Sequence, residues 1–192
     1  MSQQTDKAKG RRTLLLLALF ALAPIVASYA AYYFFTPSKR VNYGELLDPL
    51  PAASAIGVRL DGQPFALSDV RGKWVLVIVG GSECEAACGR ALYATRQART
   101  IQGRDQDRVA RVWLQPAGAP LPGADLLAEH PGLVAARLDP GEIARLPTDP
   151  REPLGILLLD PRGNLVLRYP ADPDIKGLAK DLERLLRASQ IG

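Results

Sequence analysis

The sequence predicts an α/β domain behind one N-terminal membrane helix. Three observations carry this. Thr13 to Phe35 holds no charged residue. The β-rich run Trp74-Val75-Leu76-Val77-Ile78-Val79 is followed by a helix-forming segment and then by a second apolar run, Val109 to Gln115. The segment Asp174 to Ala188 repeats its leucines at helical spacing.

The uncharged stretch is long enough for a helix to span the roughly 30 Å hydrocarbon core at about 1.5 Å per residue. Ala27-Ser28-Tyr29-Ala30 offers the small residues of a signal-peptide cleavage site, but the apolar run continues through Tyr32, Tyr33, Phe34 and Phe35, which favours an uncleaved anchor. Lys7, Lys9, Arg11 and Arg12 precede it, so the positive-inside tendency keeps the N-terminus cytoplasmic and sends the rest across the membrane. The expected organisation is a cytoplasmic tail at 1–12, a transmembrane helix at 13–35, a Pro- and Ala-rich linker at 36–55 without chemistry of its own, and an extracytoplasmic domain at 56–192. In a Gram-negative bacterium this is a single-pass inner-membrane protein with a periplasmic domain.

The formal charge is +4. The basic N-terminal tail, with Asp6 against its four cations, accounts for +3 of it, leaving the folded part nearly neutral. A neutral domain lacks the electrostatic footprint of a nucleic-acid binder, so no nucleic-acid partner is expected. The remaining chain of about 150 residues is one domain's worth, enough to bury a real core.

Within the domain, Val58-Arg59-Leu60, the turn Asp61-Gly62, and Phe65-Ala66-Leu67-Ser68 read as a hairpin. Arg71-Gly72-Lys73 turns into the strand Trp74 to Val79, apolar throughout as a strand covered on both faces should be. Gly80-Gly81-Ser82 is a turn, and Glu85 to Thr100 has the Ala, Leu, Arg and Gln content of a helix. With the strand Val109 to Gln115 this makes a βαβ unit. Gly123 to Glu129 is a short-helix candidate, and Leu133 to Leu138 reads equally as strand or extended loop. Strands at Gly155 to Leu159 and Leu165 to Tyr169 flank the turn Asp160-Pro161-Arg162-Gly163, and the amphipathic helix Asp174 to Ala188 closes the domain. Trp74 and Trp113 are expected in the core, and the arginines between 90 and 111 on a solvated face.

The two cysteines, Cys84 and Cys88, fall at the junction between the strongest strand and its helix. Residues four apart in a first helical turn lie on one face, so the sulfurs can converge to hold a soft ion or form a disulfide. The helix dipole favours the thiolate needed for either, and soft thiolates select Cu(I). Glu83 and Glu85 oppose a developing thiolate, and Arg90 offsets them. The competing reading is a structural disulfide that staples the loop. No phosphate-binding loop, dinucleotide fingerprint or nucleophile elbow is present, and one histidine cannot build a zinc site of common spacing.

From Ala55 to Ala188 this order of elements resembles the thioredoxin fold, a central mixed sheet flanked by helices. Cys84-Glu85-Ala86-Ala87-Cys88 is C-x-x-x-C, the spacing of the SCO/SenC group, whereas ordinary thiol oxidoreductases carry C-x-x-C; Leu157 to Gly163 is similar to the late strand and turn of that group. The resemblance implies a copper chaperone or assembly factor of cytochrome c oxidase. It also implies Cu(I) as the metal, Cys84 and Cys88 as its ligands or as a redox pair, and an oxidase subunit or another extracytoplasmic thiol protein as partner. The chain departs from the group at the third ligand, a histidine before the late strand. Its place falls at or near Glu152, a hard donor poorly suited to Cu(I). His130, before Pro131-Gly132, lies too early and is expected in a surface loop. Pro153 stands near the position where thioredoxin-like proteins place a cis-proline. Three readings follow: an oxidase-assembly factor working by thiol redox or copper handling, a tethered thiol-disulfide oxidoreductase with wider clients, and a non-catalytic thioredoxin-like module. These residues leave enzymatic activity open.

Overall fold

The computed structural model describes residues 3–34, 42–51, 55–80, 86–149, 151–152 and 154–189. The chain divides into two compact units, Met1–Val41 and Asn42–Gly192.

The first unit is helix α1 (Gln3–Phe34), of which Gly10–Phe34 is long and apolar enough to cross a membrane. The helix begins ten residues before the expected span because the tail's lysines and arginines are good helix formers. Pro24 lies within it.

The second unit is built on one eight-stranded sheet. Its strands in chain order are β1 (Glu45–Pro51), β2 (Ile56–Arg59), β3 (Pro64–Ala66), β4 (Trp74–Gly80), β5 (Val109–Pro116), β6 (Leu133–Leu138), β7 (Leu154–Leu159) and β8 (Asn164–Tyr169). Across the sheet the order is β1-β8-β7-β4-β5-β6-β2-β3. Helix α2 (Ala86–Ile101) connects β4 to its parallel neighbour β5, and the short helix α3 (Ala124–Ala128) lies in the connection from β5 to β6, also parallel. Helix α4 (Pro140–Ala144) follows β6, and α5 (Ile175–Ala188) ends the domain.

Strand β4 is central and buried at every position. Trp74, Leu76 and Ile78 face the layer of α2 and α5, where they meet Leu92, Trp113, Leu178 and Leu182. Val75, Val77 and Val79 face the opposite core, with Phe65, Leu67 and Leu146. This two-sided burial explains why the strand is apolar without alternation. Each such side chain contributes roughly 1.5–3 kcal/mol of transfer free energy.

The expected hairpin forms between β2 and β3, turning through Gly62 at a φ of 85°. Leu67 and Ser68 leave it for a 3-10 turn, Leu67–Val70. Leu133–Leu138 resolves as strand, paired on both edges, with β5 and with β2.

The linker expected at 36–55 is shorter than its composition implied, because β1 extends the sheet beside β8. Buried Asp181 of α5 organises this edge. Its carboxylate accepts the backbone N–H groups of Tyr43 at 3.1 Å and Gly44 at 2.8 Å, and the Tyr169 hydroxyl at 3.4 Å. Burial and the Asp181 charge push the Tyr169 phenol well above its usual range. The Tyr43 ring stacks on Tyr169 with centroids 6.0 Å apart.

Candidate functional site

The cysteine loop leaves the sheet at the end of β4. Gly80 closes that strand at a φ of 102°, a conformation that favours glycine, and its carbonyl accepts the indole N–H of Trp113 on β5 at 3.2 Å. Trp113 is thus a core residue, as expected, and also a clamp on the backbone just ahead of the cysteines. Cys84 itself, with Gly81 to Glu85, lies outside the described residues. Cys88 sits in the first turn of α2, only 2 % exposed and packed into the core. It is not a free thiol.

Sheet register fixes what else lies at this end. Gly80 pairs with Leu154, so Glu152, two residues earlier, belongs to the end of the sheet where β4 leads into α2. Glu152 is exposed, and its carboxylate accepts the Ala171 N–H at 3.2 Å. Pro153 lies outside the described residues. Arg90, expected to offset the glutamates of the cysteine loop, instead forms an ion pair with Asp172 at 2.9 Å. Both partners are more than half exposed, so the pair contributes little to stability. Together these contacts tie the β8–α5 connection to α2 and to the segment before β7.

His130 is found elsewhere, and not on the surface. It is 4 % exposed and lies ahead of β6, whose Leu133 pairs with Arg111, at the opposite end of the sheet from Gly80. The Arg96 guanidinium donates to the carbonyl of Glu129, and Arg111 donates to those of Pro131 and Leu92 at 3.3 and 3.4 Å. These bonds hold the histidine loop against α2 beyond its first turn. Nδ1 of His130 has no hydrogen-bond partner among the described residues. Burial, then the charges of Arg111 and Arg96, push its pKa below the ordinary value, against a weaker opposing effect of Glu129. His130 therefore stands as neutral imidazole at the opposite end of the sheet from Cys88. The expectation of a loop residue at the surface is corrected: His130 is buried, with the carbonyls on either side of it held by Arg96 and Arg111.

Arg111 is the second departure. Placed with the solvated arginines, it is in fact 2 % exposed, and desolvation, followed by Arg99 and Arg96, lowers its pKa to about 10. Its guanidinium is satisfied by backbone carbonyls. Gln115, also buried, lies on the Trp113 face of β5 at the cysteine end. Both are polar residues at alternate positions of an apolar run, and that spacing is the signal that would have marked them as inward-facing.

The described donors do not assemble a copper site of the group's type. Among the described residues no three His, Cys, Asp or Glu side chains converge. The one imidazole is buried beside the charges of Arg111 and Arg96 at the other end of the sheet, and Glu152 offers a hard oxygen already accepting a backbone N–H.

A protein-family model described as "Transmembrane-like, thioredoxin-like, C-terminal domain" matches residues 74–189. The chain belongs to this family. Its thioredoxin-like fold is shared with solved structures at low identity. Copper-bound yeast Sco1 is 15 % identical, covering 79 % of this chain and 96 % of that one with a TM-score of 0.58. BsSco, described as a member of the Sco family of cytochrome c oxidase assembly proteins with a disulfide switch, is 12 % identical over 78 % and 95 %, at 0.53. The thioredoxin domain of a thiol-disulfide oxidoreductase from Bacteroides vulgatus is 17 % identical over 77 % and 99 %, at 0.52. No curated protein matches the sequence. In this scaffold Cys88 lies in the first turn of α2, the helix that follows the central strand β4.

Proposed function

We propose that this protein is a membrane-anchored, SCO-like thiol-disulfide factor that assists cytochrome c oxidase assembly by reducing cysteines of its client, with the pair Cys84 and Cys88 as the reacting groups. The observation that carries the choice of redox over copper delivery is the position of His130, buried against Arg111 and Arg96 at the far end of the sheet from Cys88. Burial supports an order of attack. Cys88, at 2 % exposure, is inaccessible to a protein disulfide, which leaves Cys84 as the attacking thiol and Cys88 as the resolving one. The Cys84 thiolate displaces one client sulfur and forms a mixed disulfide. Cys88 then attacks the Cys84 sulfur, forming the Cys84–Cys88 disulfide and passing two electrons to the client, which leaves as a dithiol. The start of α2 supports the thiolate through its dipole. The anchor is α1, with the basic tail in the cytoplasm and the domain beyond the bacterial inner membrane, in the periplasm of a Gram-negative cell.

The test is an anaerobic Cu(I) titration of the reduced full chain in detergent, beside its equilibrium with glutathione and a trapping experiment. Weak copper binding, a potential in the oxidoreductase range and mixed disulfides accumulating in Cys88→Ser but not in Cys84→Ser support the proposal. Tight one-to-one copper binding lost in Cys84→Ser replaces it with copper handling. Unreactive sulfurs in both forms leave only the structural staple. The likeness to the Bacteroides oxidoreductase supports the second reading of a wider client range, which trapping of several unrelated clients would establish.

A further inference from the structure

A groove of about 660 Å³ runs between the C-terminal end of α2 and the outer face of α5, about 20 Å along α2 from Cys88 at 1.5 Å per residue. Its apolar lining is Ile101, Ala179 and Leu186, with Ile101 58 % exposed. Its walls carry Arg104, Lys176, Lys180 and Arg187 against Asp105 and Glu183. Both acids are already paired, Glu183 with Arg187 and Asp105 with Arg108 at 3.1 Å. Arg104, Lys176 and Lys180 make no ion pair among the described residues. In the unit from Asn42 onward, acids outnumber bases by one. The net positive charge of the groove is therefore a local concentration, not a share of a general excess.

We infer that this groove docks an acidic protein segment, one presenting carboxylates at the spacing of Lys176 and Lys180 together with an apolar side chain for Ile101. The two lysines are one helical turn apart, roughly 6 Å along α5, which suits carboxylates one turn apart on a helix or two residues apart on a strand. Arg104, just beyond the end of α2, lines the same groove. Two features favour a protein segment over an anionic membrane. The groove is concave, and its Ala179 and Leu186 are buried beneath the exposed Ile101 and lysines, so a flat headgroup layer reaches only part of its apolar lining. Three uncompensated cations also fall short of the 4–8 basic residues in clusters that hold a lipid surface. Opposite charge here sets encounter rate and register, while the apolar contact supplies dwell time. Because the groove lies away from the cysteine end, a docked partner leaves that end open. The inference does not depend on what the cysteines do.

The test uses the full chain in a neutral-headgroup detergent. The probe is a fluorescein-labelled synthetic helix-forming peptide with glutamates four apart and leucines beside them, followed by anisotropy. The expected result is salt-sensitive binding, weakened at least tenfold by the double variant Lys176→Glu/Lys180→Glu and likewise by Arg104→Glu, with unfolding temperatures unchanged because all three side chains are exposed. A peptide with lysine in place of glutamate should bind the double variant better than it binds the unaltered chain. Failure of the glutamate peptide to bind, equal binding by the variants, or equal binding of a glutamine peptide overturns the inference. Sedimentation with phosphatidylglycerol vesicles in the absence of peptide binding overturns it in favour of a lipid surface.

Discussion

The Trp113 indole donates to the Gly80 carbonyl across the β4–β5 pair, at the last residue before the cysteine loop. One core side chain therefore secures the backbone at the end of β4, from which the cysteine-bearing segment continues. Trp113→Phe keeps most of the buried ring but orphans that carbonyl. It should lower stability by about 1–3 kcal/mol in urea unfolding. In a Cys84→Ser background it should also raise the alkylation rate of Cys88 by roughly threefold or more, as local opening becomes easier. Unchanged alkylation would show that the clamp serves the core alone.

Asp181 gathers the start of β1 through the Tyr43 and Gly44 amides. Asp181→Asn keeps the volume but leaves one carbonyl oxygen where two carboxylate oxygens accepted, and places an amide against backbone donors. A loss of about 1.5–3 kcal/mol is expected. Hydrogen exchange should quicken selectively at Glu45–Leu50, ahead of the central strands.

Gly177 lies in the first turn of α5, where alanine ordinarily stabilises a helix by about 1 kcal/mol. Here a Cβ would stand 2.6 Å from the Tyr43 ring. Gly177→Ala should therefore destabilise, by about 1–2 kcal/mol. The double variant Gly177→Ala/Tyr43→Ala should recover part of the helix gain, a non-additivity readable in a double-mutant cycle.

His130 titrates below its ordinary pKa because it is buried beside Arg111 and Arg96. Below about pH 6.5 the unfolded chain binds a proton that the folded chain refuses, so the folded state loses stability as the pH falls from there toward the lowered folded value. Urea midpoints should be level between pH 7 and 8 and decline from pH 6.5 toward 5. His130→Gln should flatten that decline, and an unaltered slope would assign it to carboxylates instead.

Much of the scaffold was legible in the residues. The continuous apolar run of β4, the helix-rich segment after it and the second run of β5 specify a βαβ unit because a strand covered on both faces has no polar alternation to keep. The leucine spacing of α5 and the turn before β8 were equally local signals. The start of the domain was not legible. Glu45–Pro51 carries two prolines and no clear alternation, and becomes a strand only because Asp181, more than 130 positions later, holds its approach and β8 offers an edge. The isolated histidine before Pro-Gly carried the signature of a loop. It is buried all the same, with the carbonyls on either side of it held by arginines from α2 and β5.

By itself the sequence determined a helix long and apolar enough to cross a membrane, the α/β class and the place of Cys88 at the start of the helix after the central strand, since each follows from hydrophobic period and short-range spacing. Only the tertiary structure decided which polar groups share an end of the sheet. Glu152 came to the cysteine end and His130 to the other, because strand register and direction, set by long-range pairing of β4 with β7 and of β5 with β6, determine where a loop residue arrives.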